Sequence, residues 1–231
     1  MGIYVSEDLS WSNHHKSILA KAYCKLGMIR RTFSYLCSVD TKKKLYVSLI
    51  RSQVLYGSQL WRPMHVKDIH KLEQLQRRAT KFILGRESSD YRSRLLTLGL
   101  LPLMMIYELN DVMFFITNVK SPSQSFNILD FVAFSAANTR SSSIKLVHIR
   151  SQNNSQRHFY FRRLVKLWNA LPVIDLSLSI VTLRKKVKDF LWSTFVHNFD
   201  SSNICSFHFL CPCNRCSSTP KPPNYNTFHP F

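Results

Sequence analysis

Four soft metal ligands crowd nine residues near the C-terminus, in the run His208-x-x-Cys211-x-Cys213-x-x-Cys216. Thiolate and imidazole together suit zinc. Cys213-Asn-Arg-Cys216 has ordinary C-x-x-C spacing, but the Cys-Pro-Cys before it matches no common finger, and no second C-x-x-C or H-x-x-x-H follows. The spacing favours unliganded thiols, with zinc on His208, Cys211, Cys213 and Cys216 as the alternative. Cys24 and Cys37 sit in apolar helical context, which predicts free, buried thiols. The first residues carry no secretory signature, so a disulfide framework is not expected. Nucleophilic catalysis has no support either, because no Cys–His pairing has an orienting carboxylate nearby in sequence.

A second pattern is electrostatic. Lys67, Lys71, Gln74, Arg78 and Lys81 recur every three or four residues, with Arg77 beside them, while Asp68 and Glu73 fall outside the row. Cations without interleaved acids can follow a phosphate backbone, each contact releasing counterions. A merely solvated face is the bland reading, and the missing i,i+4 acidic partners tilt the balance toward binding. The whole chain leans the same way: 32 Lys and Arg face 13 Asp and Glu, a formal +19. Such an excess implies a polyanionic partner, nucleic acid first. Five glycines and no G-x-G-x-x-G or G-x-x-x-x-G-K-[ST] argue against a phosphate-cradling loop. The longest apolar stretch, Leu100 to Tyr107, is far short of the ~20 residues a membrane helix needs. No membrane partner and no small-molecule substrate are expected.

The elements that must position these groups read as mainly α. After a short apolar strand at Gly2-Ile3-Tyr4-Val5, Ser10 or Ser12 starts a helix to about Cys37, with Ile18, Ala22, Leu26, Ile29, Phe33 and Leu36 on one face. Asp40 or Thr41 starts a second helix, with Tyr46, Ile50, Val54, Gly57 and Trp61 inward until Pro63 stops it. A third runs from about Val66 to Leu84, with Ile69, Leu72, Leu75, Ala79 and Phe82 inward and Gly85 ending it. Short links make these a compact bundle. Helices follow at Asp90–Leu98 and Pro102–Val119. Irregular connections frame an apolar segment near Ile128–Phe134 and a strand at Ile144–Ile149. Helices at Arg157–Leu171 and Ser179–His197 precede a Ser-, Asn- and Pro-rich tail expected to be disordered apart from any metal site.

Several phrases, taken in order, resemble one family, the reverse transcriptases of jockey-like non-LTR retrotransposons (LINE elements). MGIYVSEDLSWSNH is similar to that family's strand and turn just after the polymerase palm. LYVSLIRSQVLYGSQLWRP and IHKLEQLQRRATKFIL resemble its second and third thumb helices. YRSRLLTLGLLPL and FYFRRLVKLWNALP resemble phrases downstream of the thumb, so most of residues 1 to 200 is covered.

The resemblance implies a remnant of the last palm strand at 1–9, a polymerase-thumb-like three-helix bundle at 10–86 and a helical extension at 87–120. It then implies an irregular linker with short strands at 121–157, C-terminal helices at 158–198, and a disordered or metal-binding Cys-rich tail at 199–231. A thumb grips a template–primer duplex by its backbone, so RNA and DNA are the implied partners. The residues placed on that contact are Arg30, Arg31, Arg51, Lys67, Lys71, Arg77, Arg78 and Lys81. Arg162 and Arg163 form a second candidate patch, with Lys185, Lys186 and Lys188 on the final helix. Trp168 is read as core, with base stacking as the alternative, and Tyr160 and Phe161 stay open between the two.

In the family, paired palm carboxylates hold the two metal ions of phosphoryl transfer. This sequence has no Asp-Asp pair, and its nearest approach is Glu7-Asp8. The expectation is a truncated, non-catalytic remnant of an RNA-directed DNA polymerase that needs no cofactor. The alternative is a helical protein-interaction module without a nucleic-acid role. Given a primed RNA template, dNTPs and magnesium or manganese, the purified chain is expected to give no extension above background. Template-dependent cDNA would overturn the reading.

Overall fold

A computed structural model describes residues 2–7, 10–33, 37–85, 90–122, 126–135, 145–148 and 159–211. In chain order the helices are α1 (Ser12–Thr32), α2 (Val39–Leu45), a π-helical turn (Tyr46–Arg51), α3 (Ser52–Leu55), α4 (Ser58–Trp61), α5 (Val66–Leu84), α6 (Tyr91–Leu98), α7 (Leu103–Lys120), α8 (Tyr160–Ala170) and α9 (Ile180–Asn198). Strands β1 (Val132–Phe134) and β2 (Leu146–His148) form one antiparallel pair, Val132 opposite His148. The fold is mainly α, as the periodicity predicts.

The centre is α7. Its sequence, LMMIYELNDVMFFITNVK, is apolar almost all round, and such a helix belongs inside a protein. It packs against α4, α5, α8 and α9 and is buried from Leu103 to Leu109 and again at Asp111–Met113, Phe115 and Ile116. One continuous core therefore joins the N-terminal bundle to the C-terminal helices. Within the bundle, α1 and α5 run parallel: His15 meets Asp68 near their starts, and Tyr23 lies under Arg78 two turns on.

The third helix has the predicted bounds, Val66–Leu84, closed by Gly85 at φ 81°. Four local expectations are corrected. Residues 2–6 make no strand among the described residues: Ile3 packs on Gly57, and the Tyr4 amide donates to His14 Nδ1 at 3.3 Å. The second helix runs on through the π turn and is broken at Gly57, whose φ of 64° is left-handed. A Cβ there would meet Ile3 Cδ1 at 2.6 Å, so Gly57 is a corner and not part of a buried stripe. Phe82 is half-buried while Ile83 is fully buried, because Ile83 points away from the cationic row and Phe82 flanks it. Cys24 is exposed: two residues past buried Ala22, it sits ~200° round the helix at 100° per residue.

Helix α1 ends at Thr32, and Leu36 lies outside the described residues. The expected disorder from 199 onward is also corrected as far as 211. Phe199, Phe207, His208 and Phe209 are buried, and Ile204–Phe207 form a 3-10 turn against α7. This strap is held by aromatic contacts, Phe199 with Phe207 at 5.0 Å and Phe209 with Phe190 at 5.2 Å.

Leu72 is fully buried, so Leu72→Ala should cost about 2–5 kcal/mol by leaving a cavity. Phe82→Ala should cost less than half as much, since its ring is only half covered. Urea melts of the two variants check the ranking.

Candidate nucleic-acid interface

The amphipathic pattern of α5 buries Ile69, Leu72, Leu75, Ala79 and Ile83, which leaves Lys67, Lys71, Gln74, Arg78 and Lys81 exposed in one row. At 1.5 Å per residue, Lys67 and Lys81 stand ~21 Å apart along the axis. The helix has two acids, and both are turned inward. Asp68 lies 3.5 Å from His15. Glu73 accepts from Tyr91 Oη, from the Leu103 amide at 3.1 Å and from Gln76 Nε2 at 3.4 Å. The exposed face of α5 is therefore free of carboxylates, a stronger condition than acids merely off the row. Aromatic rings flank it: Arg78 stands over Tyr23 at 5.2 Å and Lys42 over Phe82 at 5.3 Å. Helix α1 adds exposed Lys16, Arg30 and Arg31.

Other expected contact residues are engaged inside the fold. Arg77 stacks over Tyr91 at 4.5 Å and Phe207 at 5.7 Å and donates to the Ser201 carbonyl at 2.8 Å. It ties α5 to the strap and does not belong to the row, because it lies on the flank of α5 that faces α6. Arg163 is a buried-network residue: its guanidinium meets Asp111 at 3.4 Å and donates to the Gln59 carbonyl at 3.0 Å. Arg162 is half-buried and already partnered. Trp168 packs in the core against Phe115 at 4.9 Å. Tyr160 and Phe161 are buried too, with Tyr160 Oη donating to the Asp111 carbonyl at 2.8 Å. On α9, Lys185, Lys186 and Lys188 are exposed.

The candidate zinc set is divided. His208 is buried, and its Nδ1 lies 3.1 Å from Arg62 Nη2 and 3.7 Å from Glu108. Cys211 is half-buried, and Cys213 and Cys216 lie outside the described residues. Among the described residues no three His, Cys, Asp or Glu side chains are grouped to hold a metal.

His208 instead completes an ionic knot that sequence reading missed. Arg62 pairs with Glu108 at 3.1 Å and Asp111 at 3.1 Å, and Glu108 also accepts from the amides of Phe209 at 2.7 Å and Leu210 at 3.2 Å. Burial opposes the charge on Glu108, but donors from His208, Arg62 and the strap outweigh it and hold the carboxyl below its ordinary range. Burial, with Arg62 beside it, keeps His208 below the ordinary imidazole value despite Glu108. The available signal was Glu108 and Asp111, two carboxylates three residues apart in the most apolar helix.

No family model, curated protein or solved structure matches the chain.

Burial pushes the Glu73 carboxyl up to about 7, against its hydrogen-bond donors and Arg77. A folded value above the unfolded one means the native state holds the proton more tightly. That stability is full below about 4.5 and is lost as pH rises through about 7. The parent should lose roughly 2–3 kcal/mol from this group between pH 5 and 8. Glu73→Gln should flatten that slope even though the amide leaves one donor unmatched and lowers overall stability. Denaturant melts across this range compare the slopes, and contributions from His14 and His208 cancel in the difference.

Proposed function

We propose that the chain corresponds to the thumb and downstream region of a jockey-like non-LTR retrotransposon reverse transcriptase. It holds an RNA or DNA duplex by its backbone and performs no phosphoryl transfer by itself. The observation that carries this reading is the face of α5: Lys67, Lys71, Arg78 and Lys81 exposed in one row with both acids of the helix buried. Arg30 and Arg31 at the end of the parallel helix α1 extend the positive surface. Contacts of this kind fix position on a backbone and carry no base information.

A second reading, docking to another protein, draws on a different surface. Tyr4, Val5, Tyr56 and Leu60 are exposed apolar residues around the Gly57 corner, where Ile3 packs and the His14 ring meets Trp61 at 4.9 Å. Exposed apolar clusters are a common mark of protein contact.

Salt separates the two. Each Ala substitution at Lys67, Lys71, Arg78 or Lys81 should weaken duplex binding alike across sequences and shallow the log K against log salt slope by about one. Arg77→Ala is the control: it should lower the melting temperature by loosening the strap and leave the slope unchanged. Row variants that bind like the parent at every salt concentration would leave the protein-docking reading standing.

A further inference from the structure

The cations of the α5 row are not alike. Lys67 and Lys71, in its first half, meet no ring, carboxylate or hydrogen-bond acceptor among the described residues. Two cation–ring pairs gather in its second half. The Arg78 guanidinium stands 5.2 Å from the centre of the Tyr23 ring, supplied by α1, and Lys42 Nζ, from α2, stands 5.3 Å from the centre of the Phe82 ring. Arg78 and Phe82 are four residues apart on α5 and are therefore neighbours on its surface. Both rings are half-buried, so the protein fixes them in place.

Arg78 is exposed and makes no hydrogen bond or ion pair among the described residues. Attraction to the Tyr23 ring is what holds its guanidinium in one place. A planar guanidinium held against a ring on one face presents its other face outward, and such a face accepts a stacked nucleobase. Lysine cannot do this, because an ammonium is a point charge without a face. The surroundings favour a nucleotide over an apolar side chain. Helix α1 contains no Asp or Glu, both acids of α5 are buried, and the one acid of α2, Asp40, is paired with Lys44 at 2.7 Å.

We propose that Arg78, backed by Tyr23, is a stacking site for one unpaired base beside a duplex, with Lys42 taking a phosphate of the unpaired strand. The site depends on the α5 row holding a duplex, as proposed above. It adds what a row of point charges cannot supply, a preference for nucleic acid that carries an unpaired base. The duplex lies along Lys67 and Lys71, and the unpaired strand leaves it toward the C-terminal end of α5.

Three ligands separate base from charge: a short blunt duplex, the same duplex with a three-nucleotide single-stranded overhang, and the same overhang with its bases removed and its phosphates kept. The parent should bind the overhang with bases roughly tenfold tighter than the abasic one. Arg78→Lys keeps the charge, so it should bind the blunt duplex and respond to salt as the parent does, while the tenfold preference disappears. Tyr23→Phe keeps the ring and should keep the preference, whereas Tyr23→Leu should lose most of it. Lys42→Gln should weaken both overhang duplexes alike and leave their ratio unchanged. Equal affinity of the parent for the two overhangs, or an Arg78→Lys protein that keeps the preference, would overturn the stacking site and leave the duplex-holding row intact. A parent that fails to bind the blunt duplex at any salt concentration overturns the row, and the stacking site with it.

Discussion

Two carboxylates at the middle of the most apolar helix constrain everything around them. Glu108 and Asp111 could not sit on α7 without cations and donors drawn in from elsewhere, because an ionised carboxyl in a core without partners is untenable. Arg62 comes from the end of α4, Arg163 from α8, and His208 with the amides of Phe209 and Leu210 from the strap. The knot therefore fixes where three segments far apart in sequence must meet α7. Replacing such a network by apolar residues is often harmless, so its contribution is to register more than to net stability. Removing one partner is another matter, since it strands the remaining charge.

The knot explains why the chain is not a three-helix bundle with appendages. Helix α7 packs on α4, α5, α8 and α9, and the strap closes over Glu108. A second buried network does the same for α5 and α6. Tyr46 Oη donates to Gln76 at 2.7 Å, Gln76 donates to Tyr91 Oη at 3.1 Å and to the Leu101 carbonyl at 3.0 Å, and Glu73 receives Tyr91 and the Leu103 amide. Both networks are built from polar residues that face inward from otherwise apolar stripes.

That is also the boundary of what periodicity could disclose. Helices α1, α5, α6, α7 and α9 were legible because their apolar residues repeat at helical spacing, and the bounds of α5 were legible because Gly85 ends it. The break at Gly57 was not, because a glycine on an apolar stripe reads as a small core residue until the side chain that occupies its missing Cβ, here Ile3, is known. The strap was hidden for the opposite reason: its Ser and Asn residues, Ser206 and Asn203 among them, form local turns that composition alone reads as disorder. On the candidate site, the row on α5 was legible as a surface because it depends on one helix. The engagement of Arg77, Arg163 and His208 was not, because it depends on partners 52 to 146 residues away.

Net charge is a property of composition, but a charged surface is a property of how a fold distributes its ions. Among the described residues, four acids are buried, Asp68, Glu73, Glu108 and Asp111, against two strongly basic residues, Arg62 and Arg94. Folding thus removes more negative than positive charge from water and sharpens the excess already present in the chain. The cations that remain outside are not equivalent. Those on α5 stand in an ordered row with ring neighbours, whereas Lys44 is neutralised locally by Asp40 at 2.7 Å. An ion pair exposed to that degree contributes little to stability but cancels the local field. Polyanion affinity should therefore follow uncompensated exposed cations and not the count of Lys and Arg, which is why Lys44 can be inert while the row on α5 is directional.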